Sequence, residues 1–275
     1  MRIPISVVIF TRNEEANIRD CILSASEFSE TLIIDSESSD RTVEIANSLG
    51  IQVVSFKWNG EYPKKRQWSL ENVTYKNNYI LFLDADERIS ASLREELRYF
   101  ITKYADYYSA GSISIDYYFA GKQLKYGQRP KKIVLLRLGK AQFPAIDDLG
   151  ASGMGELEGH YQPIINGKTR KFKHRIIHKD HDLVSSWMNR HVNYANWEAH
   201  LLINRQVKRD VDISKGGLAT FFHKIPFRPL VFFFYSYFFK FGFLDGKPGF
   251  DYAFAKSWYY WLSRVIAREK YIKNE

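Results

Sequence analysis

The stretch Tyr79-Ile80-Leu81-Phe82-Leu83-Asp84-Ala85-Asp86 decides the reading of the fold. Five apolar residues in a row are too few for a helix and read as a strand covered on both faces. The run stops at two carboxylates placed at i and i+2. Three earlier runs repeat the theme. Ile5 to Phe10 is β-branched and apolar and ends at Thr11-Arg12-Asn13-Glu14-Glu15. Asn13 is expected to cap a helix reaching about Phe28, with Glu14 and Glu15 in its first turn. Thr31 to Ile34 is a second strand ending at Asp35-Ser36, and Asp40 caps a helix that stops at Gly50. Ile51 to Phe56 is a third strand, and residues 64 to 73 read as a helix. After the acidic pair, Ser90 caps a further helix through about Tyr104. Strands alternating with helices predict an α/β protein with a mostly parallel, doubly wound sheet. Ligands of such sheets sit beyond the carboxyl ends of the strands, where this chain carries Thr11, Asp35, Asp84 and Asp86.

The chain then changes character. Ser112 to Phe119, Lys132 to Leu138 and Lys171 to His178 read as strands. Seven Lys or Arg and no acid lie between Gly121 and Gln142. Pro144 to Gly159 reads as a loop, and Ser185 to Arg205 as a helix with Trp187, Tyr194 and Trp197. An aromatic segment, Phe221 to Leu244, follows. The expected organisation is an α/β domain over 1–220, in two halves, 1–110 and 111–220. Residues 221–275 form a helical, aromatic-rich appendage.

The 275 residues carry a formal charge of +9 and one cysteine, Cys21. A lone cysteine forms no internal disulfide, which fits a reducing compartment. No secretion signal is visible at the N-terminus. A basic surface suits nucleic acid, anionic lipid or a phosphorylated substrate. Aromatic residues make up 16% and crowd the C-terminal third, which favours a membrane interface over nucleic acid.

Each motif has a chemical reading. Asp84 and Asp86, with Ala85 between them, are spaced to hold one hard divalent cation, Mg²⁺ or Mn²⁺, and the phosphates bound to it. Such an ion neutralises charge on a diphosphate leaving group. The loop Thr11-Arg12-Asn13-Glu14 follows a strand and opens a helix, so backbone N–H groups and Arg12 are available to grip a nucleotide. Asp35 and Ser36 are placed to bond a base or ribose. Lys64-Lys65-Arg66-Gln67 is either a solvated face or a phosphate clamp of Lys65 and Arg66.

Three segments together, Ser6 to Glu15, Ile33 to Thr42 and Phe82 to Arg88, resemble the family-two glycosyltransferases of GT-A fold. The nearest likeness is the subgroup that builds bacterial lipopolysaccharide core and other surface glycans. The likeness is strong over roughly the first hundred residues. It implies an inverting transfer of a hexosyl or N-acetylhexosaminyl group from a nucleotide-sugar, most often a UDP-sugar, with a divalent cation. By that likeness Asp35 faces the base, Asp84 the ribose or phosphate side of the donor, and Asp86 the metal. A late His, here His178, stands near metal and diphosphate, and a cation and Tyr on one helix, here Arg190 and Tyr194, near the leaving phosphates. Inversion needs a general base for the acceptor hydroxyl. In the subgroup a Glu after the middle strands supplies it. This chain has Gly155-Glu156-Leu157-Glu158-Gly159-His160 there, without a His directly before the Glu, so Glu158 is the first candidate and Glu156 the second.

Pro229 to Phe239 holds eleven uncharged residues between Arg228 and Lys240. A span needs about 20 apolar residues, so this segment is too short to cross a bilayer. Its aromatics and flanking cations fit a helix lying in the interface. The expected partners are therefore a nucleotide-sugar, a glycan or polyprenyl-linked acceptor and an anionic membrane, approached from the cytoplasm. The same segment could instead be core or a homodimer surface. No nucleic-acid-binding motif is visible. A nucleotidyltransferase would need a Gly-rich first loop, where Thr-Arg-Asn-Glu-Glu stands instead.

Overall fold

The computed structural model describes residues 1–151, 153–158, 161–179, 183–204 and 227–273. Strands β1 (Ile3–Thr11), β2 (Phe28–Asp35), β3 (Gln52–Ser55) and β4 (Tyr79–Asp84) run parallel in the order β3-β2-β1-β4. β1 is apolar almost throughout because both of its faces are covered; Ile5, Val7, Val8 and Ile9 are fully buried. Register then gathers the motifs. Thr11 pairs with Asp35, and Phe10 pairs with Asp84, so the ends of three strands meet at one edge.

Beyond β4 the sheet is mixed, which corrects the expectation of a mostly parallel array. β8 (Lys131–Arg137) runs antiparallel to both β4 and β6 (Ala110–Phe119). Next come β12 (Ile176–His178), parallel to β6, and β5 (Glu87–Ile89), antiparallel to β12. Inserting β8 between β4 and β6 reverses direction, something alternation of local patterns does not disclose. β7 (Lys122–Leu124) and β11 (Thr169–Lys171) also pair with β6, while β9 (Ala141–Gln142) and β10 (Ile164–Ile165) form a separate ribbon. The run from Lys171 to His178 is thus two short strands.

Helices α1 (Ile18–Ser24), α2 (Thr42–Ser48), α3 (Lys65–Asn72) and α4 (Ala91–Lys103) follow the strands. Ser90 caps α4 as expected, its hydroxyl accepting from the Leu93 amide at 3.2 Å. Leu93, Leu97 and Phe100 lie on one face of α4 and are buried. Asn13 does not cap a helix. It adopts a left-handed conformation (φ 57°), and its Oδ1 accepts from the Ser39 amide at 2.8 Å. The Glu14 amide bonds Thr42 and the Glu15 amide bonds Asp40. The two loops are therefore laced to each other, and α1 starts later, with Asn17 at its cap position.

Helix α5 (Val184–Ile203) packs on α7 (Lys247–Lys273), and α6 (Arg228–Phe234) packs on α7 too. Phe119, Leu124, Trp187, Tyr252 and Ala255 form a small second core joining β6 and β7 to these helices. The segment between α6 and α7 is tied to the sheet: Asp245 accepts from the amides of Lys125 and Tyr126, at 3.0 and 2.8 Å. The boundary at 220/221 and the first residues of the aromatic segment lie outside the described residues, and α5 ends at Ile203 rather than Arg205. Two side chains read as membrane-facing are interior. Arg228 is buried, 3.0 Å from Glu198 and stacked over Tyr260, and Phe232 packs against Tyr260.

A fully buried ion pair pins the loops below the site. Lys64 Nζ stands 2.8 Å from Asp148, which also accepts from Trp197 Nε1 at 2.9 Å and from the Tyr62 hydroxyl. Two charges withdrawn from water are tolerated only when fully satisfied.

Candidate active site

A cleft of about 780 Å³ opens where β1 and β4 end. One wall comes from the sheet: Thr11, Arg12, Glu14, Asp84, Ala85, Asp86, Tyr117, Lys132 and His178. The loop 153–157 forms the floor beside Lys65. Arg190, His191 and Tyr194 of α5, with Tyr252 and Lys256 of α7, form the opposite wall.

The two carboxylates at the end of β4 are in different hands. Each oxygen of Asp84 meets a cation, with Arg66 Nη2 at 2.9 Å from Oδ1 and Lys132 Nζ at 2.6 Å from Oδ2. Burial opposes its charge, but Lys132 and then Arg66 outweigh that and hold the carboxyl well below its ordinary range. Lys132 also reaches Glu87 at 2.9 Å, and Glu87 accepts from the Asp84 amide at 3.0 Å. Asp86 instead meets His178, Nε2 to Oδ2 at 3.1 Å. Burial pushes Asp86 up, yet the hydrogen bond and charge of His178 bring it below its usual value. Burial pushes His178 down, but the bond to Asp86 raises it overall.

Asp86 Oδ1 and His178 Nδ1 are buried and have no hydrogen-bond partner. Buried polar atoms are normally satisfied, so an orphaned carboxylate oxygen in a cleft marks a place for a ligand. Among the described residues no group of three or more His, Cys, Asp or Glu side chains is gathered to hold a metal. One carboxylate oxygen and one imidazole still suit a divalent cation whose other ligands are phosphate oxygens and water. Asp86 and His178 fit that role. Asp84, the other carboxylate expected at the metal, is held by Arg66 and Lys132 at the same cleft.

The residues of the strand-end loops do not all line the cleft. Asp35 is buried, accepting from Thr11 Oγ1 at 2.7 Å and from the Ser38 amide at 2.8 Å. Ser36 donates to Glu156 Oε1 at 2.6 Å. Lys65 Nζ donates to the Thr11 carbonyl at 2.8 Å and stands 3.7 Å from Glu156. Burial pulls the Lys65 ammonium down to about 8. Arg66 lies under Asp84 and beside the Phe10 ring, outside the cleft lining. Asn13 also stays outside it.

The two candidate bases face different spaces. Glu156 lines the cleft. Glu158 is buried on the far side of its loop, its Oε1 accepting from the Gln67 amide at 2.9 Å at the start of α3, and burial raises its carboxyl. Gly153 presses this loop onto α5. Its φ is +108°, and an added Cβ would lie 2.5 Å from the Asn193 carbonyl oxygen, so only glycine fits. Gly159 and His160 of this segment lie outside the described residues.

Sequence reasoning missed Lys132, Glu87 and Lys256. Lys132 sits in the basic run 121–142, and its partners Asp84 and Glu87 stand at the end of β4 and the start of β5, far earlier in the chain.

The family model described as Glycosyl transferase family 2 matches residues 6–149, more than half of the chain. An uncharacterized glycosyltransferase of Rickettsia bellii is 41% identical over 113 residues, 40% of this chain and 37% of that protein. A lipopolysaccharide core biosynthesis glycosyltransferase, LpsC of Rhizobium meliloti, is 34% identical over 101 residues, 35% of this chain and 36% of that protein. This chain thus matches well under half the length of these relatives. Residues 1–349 of S. aureus TarS superpose with a TM-score of 0.43 at 15% identity, over 72% of this chain and 65% of that one.

Proposed function

The chain belongs to glycosyl transferase family 2, and we propose that it is an inverting, metal-dependent transferase of a hexosyl or N-acetylhexosaminyl group. The donor is a nucleotide-sugar, a UDP-sugar first. The acceptor is a glycan or polyprenyl-linked sugar of a bacterial surface polysaccharide or lipopolysaccharide, as the relationship to LpsC supports. The observation that carries this reading is the unsatisfied Asp86 oxygen beside His178, in a cleft that the Thr11, Lys65 and Asp84 loops also border.

Asp86 and His178 would hold the divalent cation, which supplies charge neutralisation to the departing diphosphate. Thr11, Arg12, Glu14 and Ala85 form the donor-side wall, and Asp35 and Ser36 hold that wall in shape through Thr11 and Glu156. Asp84 is assigned an organising role, keeping Arg66 and Lys132 in place under the site. Arg190 stands on the opposite wall for the leaving phosphates. An acceptor hydroxyl attacks the anomeric carbon, its proton passes to a carboxylate, and the bond to the diphosphate breaks with its electron pair on the phosphate oxygen. Glu156 is assigned that carboxylate because it faces the cleft and Glu158 does not.

The work is assigned to the cytoplasmic face of the membrane. Phe238, Phe239, Phe241, Leu244 and Phe254 are exposed, an apolar surface that an interface would cover. Among the described residues no helix is long and apolar enough to cross a membrane. A homodimer through the same surface is the alternative.

A screen of nucleotide-sugars for Mn²⁺-dependent hydrolysis tests the activity. Turnover of one UDP-sugar that EDTA stops supports it. Release of pyrophosphate from a nucleoside triphosphate, with no sugar hydrolysis, would point to a nucleotidyltransferase.

A further inference from the structure

The helical wall of the cleft carries a cation with no ion-pair partner among the described residues. Lys256 projects from α7 into the cleft, beyond the residues that the family model covers. Its Nζ stands 3.5 Å from His191 Nε2 and 4.9 Å from the centre of the Tyr259 ring. Among the described residues no carboxylate comes within ion-pair distance of it. The acid that acts on it is Glu198, which is already bonded to Arg228. Burial, then the charge of Arg228, pull the Lys256 ammonium down to about 8. A half-buried ammonium beside a second cation is costly unless an anion joins it. The placement is rigid: Tyr252, one turn earlier, is locked against Phe119 and Tyr117, and Trp187 stacks on His191 with centroids 3.5 Å apart. Arg190 lines the same wall.

We propose that Lys256, with Arg190 on the same wall, forms a phosphate-binding subsite, so that α7 completes the substrate cleft. This rests on the transferase reading above and adds to it the group that α7 recognises. Phosphate can arrive there from two sources, the diphosphate of the donor or the phosphate of a lipid-linked acceptor. The two share the chemistry of an oxyanion held by an ammonium.

Calorimetric titration of the full chain separates them, using Lys256→Gln and Lys256→Arg beside the parent. The probes are UDP against uridine, and farnesyl phosphate against farnesol in detergent micelles, with Mn²⁺ present. The Gln variant should bind at least one phosphate probe about tenfold more weakly and its uncharged counterpart unchanged, while the Arg variant keeps most of the affinity. A loss confined to UDP assigns the donor diphosphate, and a loss confined to farnesyl phosphate the acceptor phosphate. Lys256→Met, which keeps the aliphatic stem, replaces the Gln variant if that variant lowers Tm. Unchanged affinity for both phosphate probes overturns the subsite, and sugar transfer that persists in that variant leaves the transferase reading standing. A parent that binds neither phosphate probe overturns both.

Discussion

The two walls of the cleft are built on different physical principles. The sheet wall is local: apolar runs make buried strands, and the residue that ends each run falls at the sheet's edge. Thr11, Asp35 and Asp84 come together because parallel register aligns their strand ends. The helical wall is assembled from afar. Arg190, His191 and Lys256 share one wall only because α5 and α7 pack across a small aromatic core. The first wall mixes carboxylates (Glu14, Asp84, Asp86) with cations (Arg12, Lys132), whereas the charged residues of the second, Arg190 and Lys256, are cations.

The largest expected effect separates the two carboxylates of the loop between the walls. Glu156→Gln should retain UDP binding and lose turnover by about 10²–10⁴-fold, as removal of a general base does. Glu158→Gln should cost far less in turnover. The reverse outcome in a steady-state assay would return the base to Glu158 and require the loop to turn over on substrate binding.

The second effect is on stability. Asp148→Ala leaves Lys64 buried without its counter-ion, for a loss of about 3–5 kcal/mol. Urea denaturation checks this, and a loss under about 1 kcal/mol would mean that the pair is not buried in solution.

A smaller change concerns the aromatic surface. Phe238→Ser with Phe239→Ser should weaken binding to anionic liposomes without lowering Tm, because both rings are exposed. Sedimentation with vesicles measures it. If the parent ignores vesicles and the double variant dissociates a dimer, the surface is a subunit contact.

The smallest effect is a pH dependence of the helical wall. Lys256 loses its proton as pH rises through about 8, so affinity for a phosphate probe should fall between pH 7 and 9. The groups facing it are His191 and Glu198 of α5, Arg228 of α6, and Tyr259 on its own helix. Lys65, also near 8, contributes to any fall from the other wall. Lys256→Arg should flatten part of the dependence, and an identical profile in that variant would detach Lys256 from phosphate.

The asymmetry also explains what the sequence discloses. Strand ends, the Ser90 cap and the α3 and α5 helices were legible because each depends on neighbours a few residues apart. The reversal at β8, the engagement of Asp84 by Lys132 and the burial of Arg228 were not, since each depends on partners tens of residues away. Asn13 shows the limit most clearly. A favourable cap residue before a helix went instead to lace one loop to another, because Ser38, Ser39 and Asp40 on the adjacent loop compete for the same donors and acceptors.

The central claim, that Asp86 and His178 complete a metal-assisted nucleotide-sugar site, is tested most directly by titrating UDP into the parent and into Asp86→Ala, each with Mn²⁺ and with EDTA. The account predicts binding to the parent that needs Mn²⁺, and its loss in Asp86→Ala with Tm unchanged. Equal UDP binding by parent and variant in EDTA, or no binding by the parent in either condition, would contradict it.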